Sequence, residues 1–136
     1  MRLMLLLSAL VFVLGVCPPA QATDWRFLAA HDDRSVELYY DRHSVRVTGE
    51  VLRLRIKRVF DEAEGLEIAH EMGFPAGVAY AIERVTLDCG KGRIIRQQAA
   101  WVGVDGKFLD RTLSPTSGWR PMRPGGLGEA ICRELE

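Results

Sequence analysis

What most constrains this chain is where its three cysteines fall. Cys17 lies in residues 1–22, MRLMLLLSALVFVLGVCPPAQA, which carry one positive residue, Arg2, then an apolar run from Leu3 to Val16, and close on Ala20-Gln21-Ala22. A basic start, a short apolar core and a small-x-small ending are the layout of a secretory signal peptide. The apolar run of about 14 residues is short of the roughly 20 a spanning helix needs. A lipoprotein start at Cys17 is the alternative, but Val16 stands where that cleavage wants a small residue. Cleavage after Ala22 leaves a single domain, residues 23–136, with Cys89 and Cys132 as an even pair bound for an oxidising compartment. Such a pair in a small exported domain reads as one structural disulfide. Closing a loop of about 44 residues is worth roughly 4 kcal/mol in the chain-entropy model. A redox pair would favour C-x-x-C spacing, which is absent.

The segments around the two cysteines say what the bridge would join. Cys89 ends the apolar, β-branched run VAYAIERVTLDC and is followed at once by a Gly90-Lys91-Gly92 turn. In a strand it shares a face with Val85 and Leu87, because successive side chains alternate. The closing stretch LGEAICRELE sets Leu127, Ile131, Cys132 and Leu135 on one side of a helix. Gly128 on that side permits close approach to a sheet. Cys89 is therefore expected to be the sheet-side anchor of the last helix.

Most of the remaining chain reads as strand. DWRFLAA, VELYY, VRV and EVLRLRIKRVF are separated by HDDRS, DRHS and a joint at Thr48-Gly49, and RIIRQQAAWVGV returns through Asp105-Gly106 into KFLDRTL. Leu52, Leu54 and Ile56 alternate with Arg53, Arg55 and Lys57, the pattern of an antiparallel strand with one wet face. Arg58 interrupts the apolar side, where a bulge or the end of the sheet would account for it. Residues 61–77 change character. Leu66, Ala69 and Met72 recur at helical spacing after early carboxylates, and a short helix followed by a Gly/Pro loop is expected. SPTSGWRPMRPGG reads as irregular.

Charge is nearly balanced once Arg2 leaves with the leader, which argues against nucleic acid or an anionic membrane as the partner. No catalytic or metal pattern emerges, so no cofactor is expected. His70-Glu71 lacks the second histidine of a zinc-protease motif, and His31-Asp32-Asp33 reads as a solvated turn. His43 is a turn residue, and Ser35 and Ser44 have no visible base. GVDGK is explained by a hairpin.

Several stretches resemble the surface-adhesin protein E family of exported bacterial domains. They are Trp25 after the leader, YYDRHSVRVTGEVLRLRIK, YAIERVTLDCGKGR, and GWRPMRPGGLGEAIC, in that order along nearly the whole of residues 23–136. The resemblance implies an α+β fold, one antiparallel sheet of about six strands with the C-terminal helix tied across one face by the Cys89–Cys132 bridge. It also implies a non-enzymatic surface or periplasmic binding module whose protein partner is a host matrix protein, with a possible homodimer. The alternative is a periplasmic accessory domain that docks to an envelope component. In either case the sheet face opposite the helix, with Arg53, Arg55 and Lys57 at its centre, is the candidate recognition surface. Glu37 and Glu83 are the carboxylates that would pair with that stripe if it were merely a wet face.

Overall fold

The computed structural model describes residues 22–112 and 118–135. Residues 1–21 of the expected leader, Cys17 among them, lie outside the described residues. The elements in chain order are β1 (Trp25–Ala30), β2 (Val36–Asp41), a single 3-10 turn (Arg42–Ser44), β3 (Arg46–Thr48), β4 (Val51–Phe60), α1 (Glu62–Met72), β5 (Val78–Asp88), β6 (Arg93–Gly103), β7 (Phe108–Thr112), β8 (Arg120–Pro121) and α2 (Leu127–Leu135). All eight strands join one antiparallel sheet in the order β1-β2-β4-β5-β6-β7. The path has six strands, the number expected. Two short strands extend it: β3 pairs with the start of β4 ahead of β2, and β8 with the start of β6 beyond β7. Arg120 and Pro121, expected in an irregular stretch, thus form a strand, and the Met122 N–H continues the contact by donating to the Gly92 carbonyl (2.9 Å). Residues 114–117 of that stretch lie outside the described residues.

Alternation along β4 and β5 divides the sheet into two unlike faces. Leu52, Leu54 and Ile56 stand opposite Leu87, Val85 and Glu83, and directly opposed residues share a face. These apolar side chains, with Leu28 and Leu38 from β1 and β2, form a core closed by the fully buried Ile131 of α2. Leu127, Cys132 and Leu135 pack on its margin, so the α2 stripe lies as its spacing predicts. A Cβ on Gly128 would sit 2.9 Å from Met122 Cγ and 3.4 Å from Leu87 Cδ2, so the missing side chain lets the helix lie close to the sheet. Cys89, just past β5, is bridged to Cys132 with the Cα atoms 5.8 Å apart.

Helix α1 covers the same face at the other end of the sheet. Asp61 caps it by accepting from the Glu64 N–H (2.8 Å), and the Phe74 N–H closes it on the Ala69 carbonyl (2.9 Å). Its buried side differs from the expected Leu66–Ala69–Met72 stripe. Gly65 and Ala69 are buried with Ile68 beside them, while Leu66 is 56% and Met72 43% exposed. The cause is steric. A Cβ at Gly65 would overlap the Val78 carbonyl oxygen, so the glycine lets the helix backbone lie directly on β5 and rotates Leu66 outward. Phe60, Val78 and Ala81 complete this second core, bordered by Phe74, Trp101 and Leu109.

Arg58 lies between the two cores and corrects another expectation. Strand β4 neither bulges nor ends there, since its pairing with β5 runs unbroken from Val51 to Val59. The charge is instead neutralised on the covered face. Arg58 Nη2 donates to Glu83 Oε1 (3.3 Å), and Arg96 Nη2 donates to both Glu83 oxygens (2.9 and 2.7 Å). The Arg58 guanidinium also lies over the rings of Phe60 (5.6 Å) and Trp101 (5.4 Å). Burial lowers its pKa from the ordinary arginine value. Glu83 opposes that shift and Arg96 adds to it.

Candidate functional site

Among the described residues the other face carries no α-helix. Arg53, Arg55 and Lys57 point to it from β4, opposite Thr86, Arg84 and Ile82 of β5. The expected stripe is therefore on the face opposite α2. Its surroundings differ from those expected. Glu83 belongs to the covered face, so it does not pair with the stripe. Glu37 shares the open face, but its carboxylate accepts from the Tyr39 hydroxyl (2.7 Å).

The three cations of the stripe have different partners. Arg55 Nη2 donates to Asp41 Oδ2 (2.8 Å), and Asp41, only 4% exposed, also accepts from the N–H groups of Asp24 and His43 (both 3.1 Å). Burial opposes ionisation of Asp41, but the Asp24 amide, the Arg55 guanidinium and the His43 amide together hold its pKa below the ordinary aspartate value. Lys57 Nζ lies over the Tyr80 ring (4.3 Å) and near that of Trp25 (5.7 Å), to which the Arg55 guanidinium is equally close (5.7 Å). Arg53 is exposed and, among the described residues, has no ion-pair partner.

Sequence reasoning missed Arg84, which is exposed on the same face and likewise has no ion-pair partner among the described residues. Its position in YAIERVTLDC, two residues before Thr86, put it on the side away from Val85 and Leu87, so strand parity was the signal. Pairing sets Arg84 directly across from Arg55, and Arg46 of β3 directly across from Arg53. Like charges directly opposite each other in a sheet are unfavourable by about 0.2–1 kcal/mol. The Arg46 guanidinium turns to the carbonyls of His43 and Val45 (both 2.9 Å), which leaves Arg53 and Arg84 as the cations of the cluster without a partner among the described residues.

These two side chains line a groove of about 930 Å³ across β4, β5 and β6, together with Ser44, Thr48, Thr86 and Trp119. At its rim the Arg93 guanidinium lies 4.5 Å from the centre of the Trp119 ring and pairs with Asp88 (3.5 Å). Ser44 Oγ is committed to structure, donating to the Asp41 carbonyl (2.7 Å) and accepting from the Arg55 N–H (2.8 Å). In the HDDRS turn, Asp33 accepts from both the N–H and the hydroxyl of Ser35 (3.0 and 2.8 Å). Among the described residues no group of three His, Cys, Asp or Glu side chains is placed to hold a metal ion. The arrangement presents guanidinium donors, hydroxyls and an indole, a set suited to binding oxyanions.

No family model, no curated protein and no solved structure matches the chain.

Proposed function

We propose that this protein is an exported, non-enzymatic binding module of the bacterial cell envelope, similar in kind to surface-adhesin protein E, and that it recognises an anionic partner on its helix-free face. The observation that carries the reading is the pair of guanidiniums, Arg53 and Arg84, that have no ion-pair partner among the described residues and stand among like-charged neighbours in a groove. Arranging cations this way costs stability, and a bound anion would offset that cost. The disulfide supports export, because such bridges persist in oxidising compartments. No helix among the described residues is long and apolar enough to cross a membrane. The engaged Ser44 and Asp41 support a binding role rather than a catalytic one, since neither is poised for proton transfer or nucleophilic attack.

Cell fractionation with surface proteolysis tests this reading. The expected result is oxidised protein outside the cytoplasm that is cleaved by protease added to intact cells. Cleavage only after outer-membrane disruption would replace surface adhesion with docking to an envelope component in the periplasm. Cytoplasmic protein with free thiols would overturn the reading.

A further inference from the structure

We infer that the groove on the helix-free face binds a linear acidic polysaccharide, one bearing sulfate or carboxylate groups along its length. The inference rests on the open face being the recognition surface, and it names the chemical class of the partner. Three features point to it.

The first is the donor set. Arg53 and Arg84 come from adjacent strands, at positions diagonal to one another in the pairing, and have no acidic partner among the described residues. Guanidinium groups bind sulfate and carboxylate through paired N–H donors. The hydroxyls of Thr48 and Thr86 lie beside them in the same groove and can bond sugar hydroxyls as donor or acceptor.

The second is what the groove lacks. Its floor is β4 and β5, whose backbone N–H and C=O groups are engaged with neighbouring strands over this stretch, while β6 is paired with β5 and, on its outer side, with β8 at Arg93 and Ile94. A polypeptide captured as an added strand needs an exposed sheet edge. On the β4–β5 floor, where Arg53 and Arg84 stand, recognition comes from side chains, which a chain of repeated charges and hydroxyls satisfies without backbone bonding.

The third is Trp119 at one wall of the groove, with Arg93 beside its ring. An indole offers an apolar plane for the C–H face of a sugar ring, next to cations for its charged substituents. The floor supplies little carboxylate to repel such a ligand. Asp41 is buried and held by Arg55, and Asp88 is paired with Arg93 and accepts from the Lys91 N–H (3.0 Å).

The test is equilibrium binding of the oxidised domain, residues 23–136, to a heparin-derived octasaccharide over a salt series, with poly-glutamate of matched charge as the competing class. The octasaccharide should bind more tightly than poly-glutamate. Arg53→Ser/Arg84→Ser should weaken it about tenfold and flatten its salt dependence, as expected when two exposed charge pairs of under 1 kcal/mol each are lost. Trp119→Ala should weaken it without changing the salt dependence. Arg123→Ser/Arg133→Ser removes the same charge beside and on α2 and should leave binding unchanged. Equal weakening by that control would show non-specific charge attraction and overturn the assignment. Tighter binding of poly-glutamate, lost in Arg53→Ser/Arg84→Ser, would also overturn the polysaccharide while leaving the face as the recognition surface. Failure of the domain to bind either polyanion would overturn both the polysaccharide and the anionic recognition face.

Discussion

Glu83 has two cations for one carboxylate, and its neighbours determine what each substitution would cost. Arg58 is largely buried, and its Nε has no hydrogen-bond partner among the described residues. Without Glu83, a guanidinium is left against Phe60 and Trp101 with nothing to neutralise it. Breaking a buried pair from one side costs about 3–5 kcal/mol. Glu83→Ala should therefore lower urea stability by about 3 kcal/mol, whereas Arg96→Ala, which spares the Arg58–Glu83 pair, should cost about 1 kcal/mol. Equal losses would show that Arg96 and not Arg58 is the structural partner. Strand parity puts Glu83 on the side of Val85 and Leu87, so its face was legible in the sequence although it was expected beside the stripe. Its partners were not, because they depend on how β4 and β6 register against β5. Asp41 gives a second residue-scale prediction. Its folded-state pKa is depressed, as are those of the half-buried Asp24 and the exposed Asp33. Such groups contribute stability above the unfolded aspartate pKa of about 3.9, and that stability is lost as pH falls through the lower folded value. Asp41→Asn should cost about 1–2 kcal/mol at pH 7, and the difference from the unmodified protein should shrink as melting is followed below about pH 4. Curves that stay parallel down to pH 2 would contradict a charged Asp41–Arg55 contact.

The two helices reach the same face by different means. Helix α2 announces itself in the sequence through its apolar stripe and through a cysteine that mirrors Cys89. Removing the bridge with Cys89→Ser/Cys132→Ser should lower stability by about 2–5 kcal/mol. Native-state hydrogen exchange should show the α2 amides losing protection before those of β4 and β5. Uniform loss across the sheet would mean that the helix is no separate unit. Helix α1 was legible in position but not in orientation. Its apolar spacing favours Leu66 and Met72, whereas the backbone contact at Gly65 decides which side packs, and a glycine carries no hydrophobic signal. Gly65→Ala raises helix propensity by about 1 kcal/mol, yet it must push α1 off the Val78 carbonyl. The net effect should be a loss of about 2 kcal/mol, read from the urea midpoint. A gain in stability would show that α1 does not rest on β5 at this glycine.

At the scale of the whole molecule, one face of the sheet is used for packing and the other is left open. Both helices, the disulfide and the buried Glu83 lie on the first. The second presents cations and aromatic rings around a groove. Alternation in LRLRIK made this division legible, as did the cysteine count for the bridge. The groove was not legible, because Arg84, Thr86 and Trp119 join Arg53 only through pairings between segments far apart in the chain. Its neighbours also change how the stripe must be tested. Arg55 and Lys57 have structural partners, so Arg53 with Arg84 is the cleaner pair to replace. The division of faces is tested most directly by NMR titration of the labelled domain with the heparin-derived octasaccharide. Shift changes are expected at Arg53, Arg84, Thr86 and the Trp119 indole, with α1 and α2 unmoved. Changes confined to the helices, or to the Leu66 and Val104 end of the sheet, would contradict it.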